Sequence, residues 1–280
     1  MKLRTQFFIL LFLTCDIAAS AQLLIGPTLG AQYSWTTFDN KDYKQIYNSK
    51  AVFGFNAGVN VSFRVRKRFF LHTALVYSTK GKVIEGKKVT RSQVSEEYQD
   101  LIDPALKNEV TYKYLELPIL YTYEIKMHTK NNKEFKWYFG AGPNISYWMG
   151  GKGTFFNADR QEATAGPIDY KIVFDQTTDN LSEDKMNVTA PNRLQLGLNF
   201  SAGLVFEPMG YQKVMITMRY ELGHSFMSKD GRGEFPSTNS YVDVLAARNN
   251  GIRLSLAYLV DMKIENRKKG KSTMRHRKMR

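Results

Sequence analysis

The sequence has a single cysteine, only four histidines and no apolar run of the length that a transmembrane helix needs. One cysteine excludes a disulfide-stabilised scaffold. A helical span takes about 20 apolar residues, and the run Phe7–Leu13 is far shorter, which argues against a polytopic helical membrane protein. The 43% apolar content, with 20 glycines and 8 prolines, also excludes a disordered chain and a collagen. This composition is still compatible with a membrane β-barrel. Its strands are apolar only at alternate positions, so their average hydropathy is mildly polar.

The first 21 residues have the pattern of a secretory signal peptide. Lys2 and Arg4 precede the apolar run Phe7–Leu13, and the small residues that end at Ala21 predict cleavage there. The cysteine, Cys15, lies inside this segment, so the mature chain would contain none. A lipoprotein acylated at Cys15 is disfavoured, because the residues before it are not small. We therefore expect an exported protein.

Alternation with a period of two dominates the rest of the chain. In 53–65, 194–206 and 252–260, apolar side chains occupy nearly every second position. A tilted strand crosses a bilayer with roughly 9 to 11 residues, and each run is long enough to do so. Eight such segments are found, near 23–35, 52–65, 69–80, 112–126, 135–149, 193–207, 213–227 and 249–264. The pattern predicts an all-β fold, an eight-stranded antiparallel up-and-down transmembrane β-barrel over residues 22–265.

The connections between these segments alternate in length. Those after the second, fourth and sixth segments are short, whereas the others are long, near 36–51, 81–111, 150–192 and 228–248. This alternation is typical of outer-membrane barrels, in which the short turns are periplasmic and the long loops extracellular. It predicts that both chain termini are periplasmic. Outward-facing aromatic residues fall near both ends of the segments, as expected for two interfacial girdles.

Two motifs resemble a known family. The segments Tyr114–Leu120, with its Leu-Glu-Leu-Pro core, and Trp137–Pro143 look like the PorT-like outer-membrane β-barrel family of Bacteroidetes-type bacteria, as do Arg219-Tyr220 and the glycine-rich Gly26–Gly30. The resemblance covers the mature chain to about Glu265 and implies an eight-stranded barrel. Some relatives belong to the type IX secretion and gliding machinery, and most have no assigned activity. The basic tail, residues 266–280, extends beyond the resemblance and is expected to be disordered.

An eight-stranded barrel has an interior that side chains can fill. Strand parity directs both acidic and basic residues inward, and charges in a narrow lumen must pair because an isolated buried charge is costly. We predict a polar network in which Glu116 pairs with Arg219 or Arg253. A gated ion path or a ligand clamp is the alternative reading. The predicted network residues are Arg64, Glu116, Glu124, Arg219, Glu221 and Arg253.

Positive charge is concentrated on one predicted side. The chain carries a net charge of +14; the extracellular loops sum to −3 and the periplasmic segments to +13. Because nucleic acid is not expected in the periplasm, we predict docking to a periplasmic protein or to peptidoglycan, beside contact with outer-membrane lipid. The alternative is a solvated tail without a partner. The predicted docking residues are Arg66, Lys67, Arg68, Arg267, Lys268, Lys269, Lys271, Arg275, Arg277, Lys278 and Arg280.

The sequence gives little indication of catalysis. The four histidines lie far apart and lack metal-ligand spacing, and His224-Ser225 is the only pair that resembles a nucleophile beside a base. We therefore expect no enzyme activity, no metal and no cofactor. The predicted function is that of an outer-membrane anchor or assembly component, with a secretion or gliding apparatus as the context. A narrow porin-like channel and a surface-loop receptor are the alternatives.

Overall fold

A computed structural model describes residues 23–128, 134–176, 182, 184–209, 212–228, 232–235 and 238–262. The predicted signal peptide and basic tail lie outside these residues. The strands are β1 (Leu23–Phe38), β2 (Tyr47–Arg66), β3 (Phe69–Gly86), β4 (Lys107–His128), β5 (Glu134–Phe156), β6 (Ile168–Phe174), β7 (Lys185–Val188), β8 (Leu194–Met209), β9 (Gln212–Gly223), β10 (Arg232–Phe235), β11 (Thr238–Val244) and β12 (Ala247–Asp261). The helices are α1 (Lys41–Ile46), α2 (Ala158–Glu162) and two 3-10 turns, Arg91–Gln93 and Glu96–Leu101. None of these helices is long and apolar enough to cross a membrane.

Eight of the strands pair in a closed antiparallel ring. The order around the ring is β1, β2, β3, β4, β5, β8, β9 and β12, and β12 returns to β1 with a register that runs from Leu24–Asp261 to Phe38–Ala247. The all-β, antiparallel and ring-like architecture predicted from the alternation is confirmed. Closure leaves no edge strand within the ring, so the backbone hydrogen bonds are satisfied between neighbours.

The alternation places apolar side chains on the outside of the ring. Leu29, Val59 and Leu75 are exposed around its middle. Exposed aromatic side chains lie towards the two ends of the strands, among them Tyr33, Phe53, Tyr121, Trp137, Tyr147, Tyr220 and Tyr258. An apolar band between aromatic rings is the outer surface that a bilayer requires.

The connections predicted as long loops contain additional strands. Residues 150–192 hold the end of β5 with α2, β6 and β7, and 228–248 hold β10 and β11. The prediction of loops in these two segments was wrong. These four short strands continue the sheet from β5, in the order β6, β7, β10 and β11, with β6 and β7 parallel. We call this end of the molecule, comprising α1, the 3-10 turns, α2, β6, β7, β10, β11 and the adjoining ends of the ring strands, the cap.

The cap has its own apolar core, which lies across the end of the ring. Trp148 at its base is fully buried and packs edge-on against Tyr112, with ring centroids 5.5 Å apart. Further out, Phe235 stacks on Phe155 and meets Tyr170 edge-on, each at 4.9 Å. All five of these aromatic side chains are buried, so water is excluded from this core. The cap therefore closes one end of the lumen.

Candidate functional site in the barrel lumen

Two cations and two anions alternate inside the ring, just below the cap. Lys80 Nζ lies 2.7 Å from Glu116 Oε1 and 2.5 Å from Glu221 Oε1. Arg253 Nη2 lies 2.6 Å from Glu116 Oε2 and 3.8 Å from Glu221 Oε2. These four residues, on β3, β4, β9 and β12, form what we call the upper network. Because they come from opposite sides of the ring, they link its walls through the lumen.

The upper network is buried. Polar side chains surround it within the ring, and aromatic side chains cover it on the side of the cap. The Glu116 side chain has no exposed surface. Asn144 Nδ2 donates to Glu221 Oε1 at 3.0 Å, and Arg253 Nη2 also donates to Ser78 Oγ at 3.2 Å. The Tyr114 ring covers the network on the cap side, 5.1 Å from Lys80 Nζ, and stacks on Trp148. Side chains thus fill the lumen at this level, as geometry predicts for eight strands.

A second group of charges lies towards the opposite, short-turn end of the ring. Lys136 Nζ is 2.6 Å from Glu207 Oε1, and Lys213 Nζ is 3.1 Å from the same oxygen. Glu124 Oε2 is 3.9 Å from Lys136 Nζ. We call these four residues the lower cluster. Its charges also balance, but Glu207 is one-third exposed, so the cluster is more hydrated than the upper network.

The structure places the predicted lumen residues in three different environments. Glu116, Glu221 and Arg253 meet in the upper network, and Glu124 belongs to the lower cluster. Of the two partners proposed for Glu116, Arg253 makes the contact and Arg219 does not. Arg64 lies outside both groups: its side chain is exposed and its Nη2 donates to the Lys67 carbonyl at 3.4 Å. Arg64 is near the end of β2, where the lumen opens to solvent.

Sequence reasoning missed Lys80, which contacts both carboxylates of the upper network. The predicted third strand ended at this residue, whereas β3 continues to Gly86. Strand parity could have found the residue, since Lys80 follows His72, Ala74 and Ser78 on the inward face. The same parity leads to Lys82, which is buried in the cap.

The predicted docking residues are described only in part. Arg66, Lys67 and Arg68 form the turn between β2 and β3, and all three are exposed. Arg68 Nη1 donates to the Tyr123 hydroxyl at 3.1 Å, which fixes one side of the turn. The basic residues from Arg267 to Arg280 lie outside the described residues. The exposed turn is therefore the only part of the docking prediction to which the structure gives a position.

The cap carries two surface cavities. A groove of about 460 Å³ is lined mostly by polar and charged side chains, Glu109, Thr111, Lys152, Thr154, Asp169, Lys171 and Asp184 among them. A smaller cavity of about 220 Å³ lies between Tyr43, Tyr98 and Arg232, with Glu97 and Asp100 beside them. The Tyr43 and Tyr98 rings meet edge-on at 5.2 Å, and burial raises the pKa of the Tyr43 phenol. Both cavities could hold a polar ligand.

The described residues contain no group of three or more histidine, cysteine, aspartate or glutamate side chains arranged to hold a metal ion. Of the one sequence pair that resembled a nucleophile and a base, the Ser225 hydroxyl accepts a hydrogen bond from the Leu196 amide at 3.0 Å. The serine oxygen therefore ties the segment after β9 to the beginning of β8.

The ring, its outer apolar band and its charged interior define a class, the outer-membrane β-barrels. The chain belongs to the family described as "Outer membrane protein beta-barrel domain", whose model matches residues 18–225. Membership implies the outer membrane of a Gram-negative bacterium. No curated protein is significantly similar to the chain in sequence.

Solved outer-membrane barrels show a distant likeness. Neisserial surface protein A is 11% identical, with a TM-score of 0.39, and the match covers 87% of this chain and 99% of that one. The attachment invasion locus protein Ail of Yersinia pestis is 12% identical, with a TM-score of 0.35 and coverage of 85% and 99%. OprG of Pseudomonas aeruginosa is 12% identical, with a TM-score of 0.36 and coverage of 86% and 92%.

Proposed function

We propose that this protein is a closed, non-enzymatic, eight-stranded transmembrane barrel that serves as an anchor or assembly component of the outer membrane. The upper network is the observation that carries the proposal. Lys80, Glu116, Glu221 and Arg253 fill the lumen with mutually paired charges, and Tyr114 with Trp148 covers them. A lumen filled in this way holds the strands together and leaves no aqueous path of solute width.

The proposed orientation has the short-turn end in the periplasm and the cap outside the cell. The charge distribution supports it, with +13 on the short-turn side and −3 on the long connections. Both chain termini would then be periplasmic. The long connections of outer-membrane barrels are extracellular, and here they would form the cap.

A narrow porin-like channel is the rival function, and conductance separates the two. We expect the full-length protein in a planar lipid bilayer to give no steady single-channel steps, because the buried network would have to break for ions to pass. Steady steps that change in Glu221→Gln would contradict the closed barrel. The matched control is Lys50→Met, since the Lys50 side chain is 53% exposed on the cap and lies outside the lumen.

The proposed partner is a periplasmic protein or peptidoglycan, bound through positive charge. Arg66 and Lys67 are exposed on the β2–β3 turn, and the tail beyond Glu265 adds the larger share of the charge. The resemblance to PorT-like proteins suggests a type IX secretion or gliding apparatus as the context. Contacts between exposed charges weaken as salt rises, over a Debye length of about 8 Å at physiological ionic strength.

A pull-down from gently solubilised outer membranes tests this docking. The tag is placed at Gly166, an exposed residue of the connection 150–192 that lies between α2 and β6 with open space around it. The full-length chain is compared with a chain that ends at Glu265. We expect a partner to be recovered with the full-length chain at low salt, to be lost at high salt, and to be reduced at least several-fold with the shortened chain. Recovery that is equal for the two chains and insensitive to salt would refute docking through the tail.

A surface receptor is the second candidate function, and the polar groove of the cap favours it. The groove presents carboxylates and ammonium groups side by side, with Thr154 Oγ1 donating to Asp169 Oδ1 at 2.6 Å. Because the cap has an apolar core, these side chains are held on a packed framework. A partner recovered equally with both chains in the pull-down, and lost in Lys152→Glu, would support the receptor instead of the assembly component.

A further inference from the structure

Arg219 is a buried cation that makes no ion pair among the described residues. It faces the lumen from β9, between Arg253 on β12 and Ser201 on β8, and is only 8% exposed. Among the described residues, no carboxylate oxygen lies within 4.0 Å of a guanidinium nitrogen of Arg219, the distance that defines an ion pair. Lys80 and Arg253 both have carboxylate partners within this distance. Its Nε–H is also buried without a hydrogen-bond acceptor.

The two carboxylates of the upper network are already paired with Lys80 and Arg253. The upper network contains two cations and two anions, and so does the lower cluster. Arg219 lies between these two neutral groups and adds one positive charge. A buried charge without compensation is strongly unfavourable, because the protein interior does not replace the hydration that the ion has lost. A further buried carboxylate, Asp261, lies at the short-turn end of β12, eight residues along the strand from Arg253, and is too distant to compensate for Arg219. The positive charge of Arg219 therefore favours binding of a negative charge close to it.

A small cavity lies directly beside the guanidinium. Its polar lining comprises Asn60, His72, Tyr138, Thr217 and Arg219, and its apolar walls include Leu120. It has room for about one water molecule or one small ion. Both ring nitrogens of His72 and the side-chain oxygen of Asn60 are buried and have no hydrogen-bond partner in the part of the chain that the structure describes. His72 is 4% exposed and is held by ring contacts with Phe70 and Tyr138.

We propose that this cavity binds one small monovalent anion of halide size, such as chloride. The anion compensates for the positive charge of the Arg219 guanidinium, which also donates a hydrogen bond to it. An imidazole N–H of His72 supplies a second donor. A water molecule would satisfy the hydrogen bonds but would leave the excess charge in place. A carboxylate or phosphate ligand is too large for a space of one particle. The cavity therefore selects its ligand by both charge and size.

Bromide locates the proposed anion directly. Crystals of the full-length protein grown in sodium bromide are expected to show an anomalous-scattering peak between the Arg219 guanidinium and the His72 ring. The peak should disappear in Arg219→Gln. A native site that holds only water, with no anomalous peak at high bromide, would overturn the proposal. This measurement on the native chain decides the matter even if the variant does not fold.

A second measurement uses stability in solution. At about 100 mM anion and equal ionic strength, we expect the native protein to unfold at a temperature roughly 2–5 °C higher in chloride than in gluconate, which is too large for the cavity. Arg219→Gln should lose this difference and should be at least as stable as the native chain in gluconate. The control Arg248→Gln, in an exposed ion pair with Asp39, should retain the difference. Equal unfolding temperatures of the native protein in both salts would refute the site.

Discussion

Replacing Glu116 with glutamine is expected to lower the free energy of unfolding of the barrel by about 3–5 kcal/mol, the usual cost of removing one partner from a buried ion pair. The Glu116 carboxylate has no exposed surface and contacts both Lys80 and Arg253. A neutral amide would leave these two cations with Glu221 as the one remaining carboxylate of the network. The measurement is guanidinium unfolding of the full-length protein in detergent micelles, followed by tryptophan fluorescence and heat-modifiable migration.

Two further variants distinguish a network from a loss of packing. Glu207→Gln removes a carboxylate that is one-third exposed in the lower cluster, and we expect it to cost about 1 kcal/mol or less. Glu116→Gln leaves Lys80 and Arg253 with the single carboxylate of Glu221, an excess of one positive charge. Adding Lys80→Met removes this excess charge and should restore part of the stability. If Glu116→Gln unfolds within about 1 kcal/mol of the native protein, the upper network does not stabilise the barrel.

The ring could be predicted from the sequence because its two faces meet different surroundings. In 194–206, the side chains of Leu196, Leu198 and Phe200 point outward, while Asn199 and Ser201, at the alternate positions, are buried. A shift of one residue would exchange these faces, so the alternation determines both the strand and its orientation. Residues 53–65 and 252–260 follow the same rule.

The cap could not be predicted in the same way. Its additional strands are short, four to seven residues each, and β10 reads Arg-Gly-Glu-Phe, which has no clear alternation. These segments become strands because β5 extends beyond the ring and offers its edge to β6. Such pairing depends on tertiary contacts rather than on local preference.

For the site, strand parity predicts which charged residues point inward but not which of them meet. Arg219 and Arg253 lie opposite each other on β9 and β12, so the sequence offers both as partners of Glu116. The choice depends on how the strands are staggered around the ring, which fixes the height of each side chain in the lumen. That stagger places Arg253 in an ion pair with Glu116 and leaves Arg219 outside the ion pairs of the described residues.

Replacing Lys82 with methionine is expected to open the cap while the ring stays closed. Lys82 Nζ lies 2.9 Å from Asp243 Oδ1 and 3.2 Å from the Val244 carbonyl, and both charged side chains are fully buried. The substitution removes the cation that compensates for the Asp243 charge, at a cost of about 3–5 kcal/mol. Because Asp243 belongs to β11, which is paired only with β10 in the described sheet, this cost should appear as local opening of the cap.

Hydrogen exchange and limited proteolysis check this expectation. In Lys82→Met, the backbone amides of β10 and β11 should exchange at least 100-fold faster than in the native protein, the ratio to which about 3 kcal/mol corresponds. The heat-modifiable migration of the ring should stay unchanged. The control Lys50→Met removes the cation of an exposed pair with Glu85 and should alter neither measurement. Loss of the folded ring together with the cap would show that the two unfold as one unit. The apolar core of the cap, Trp148 with Tyr112 at its base, would then support the barrel as much as the upper network does.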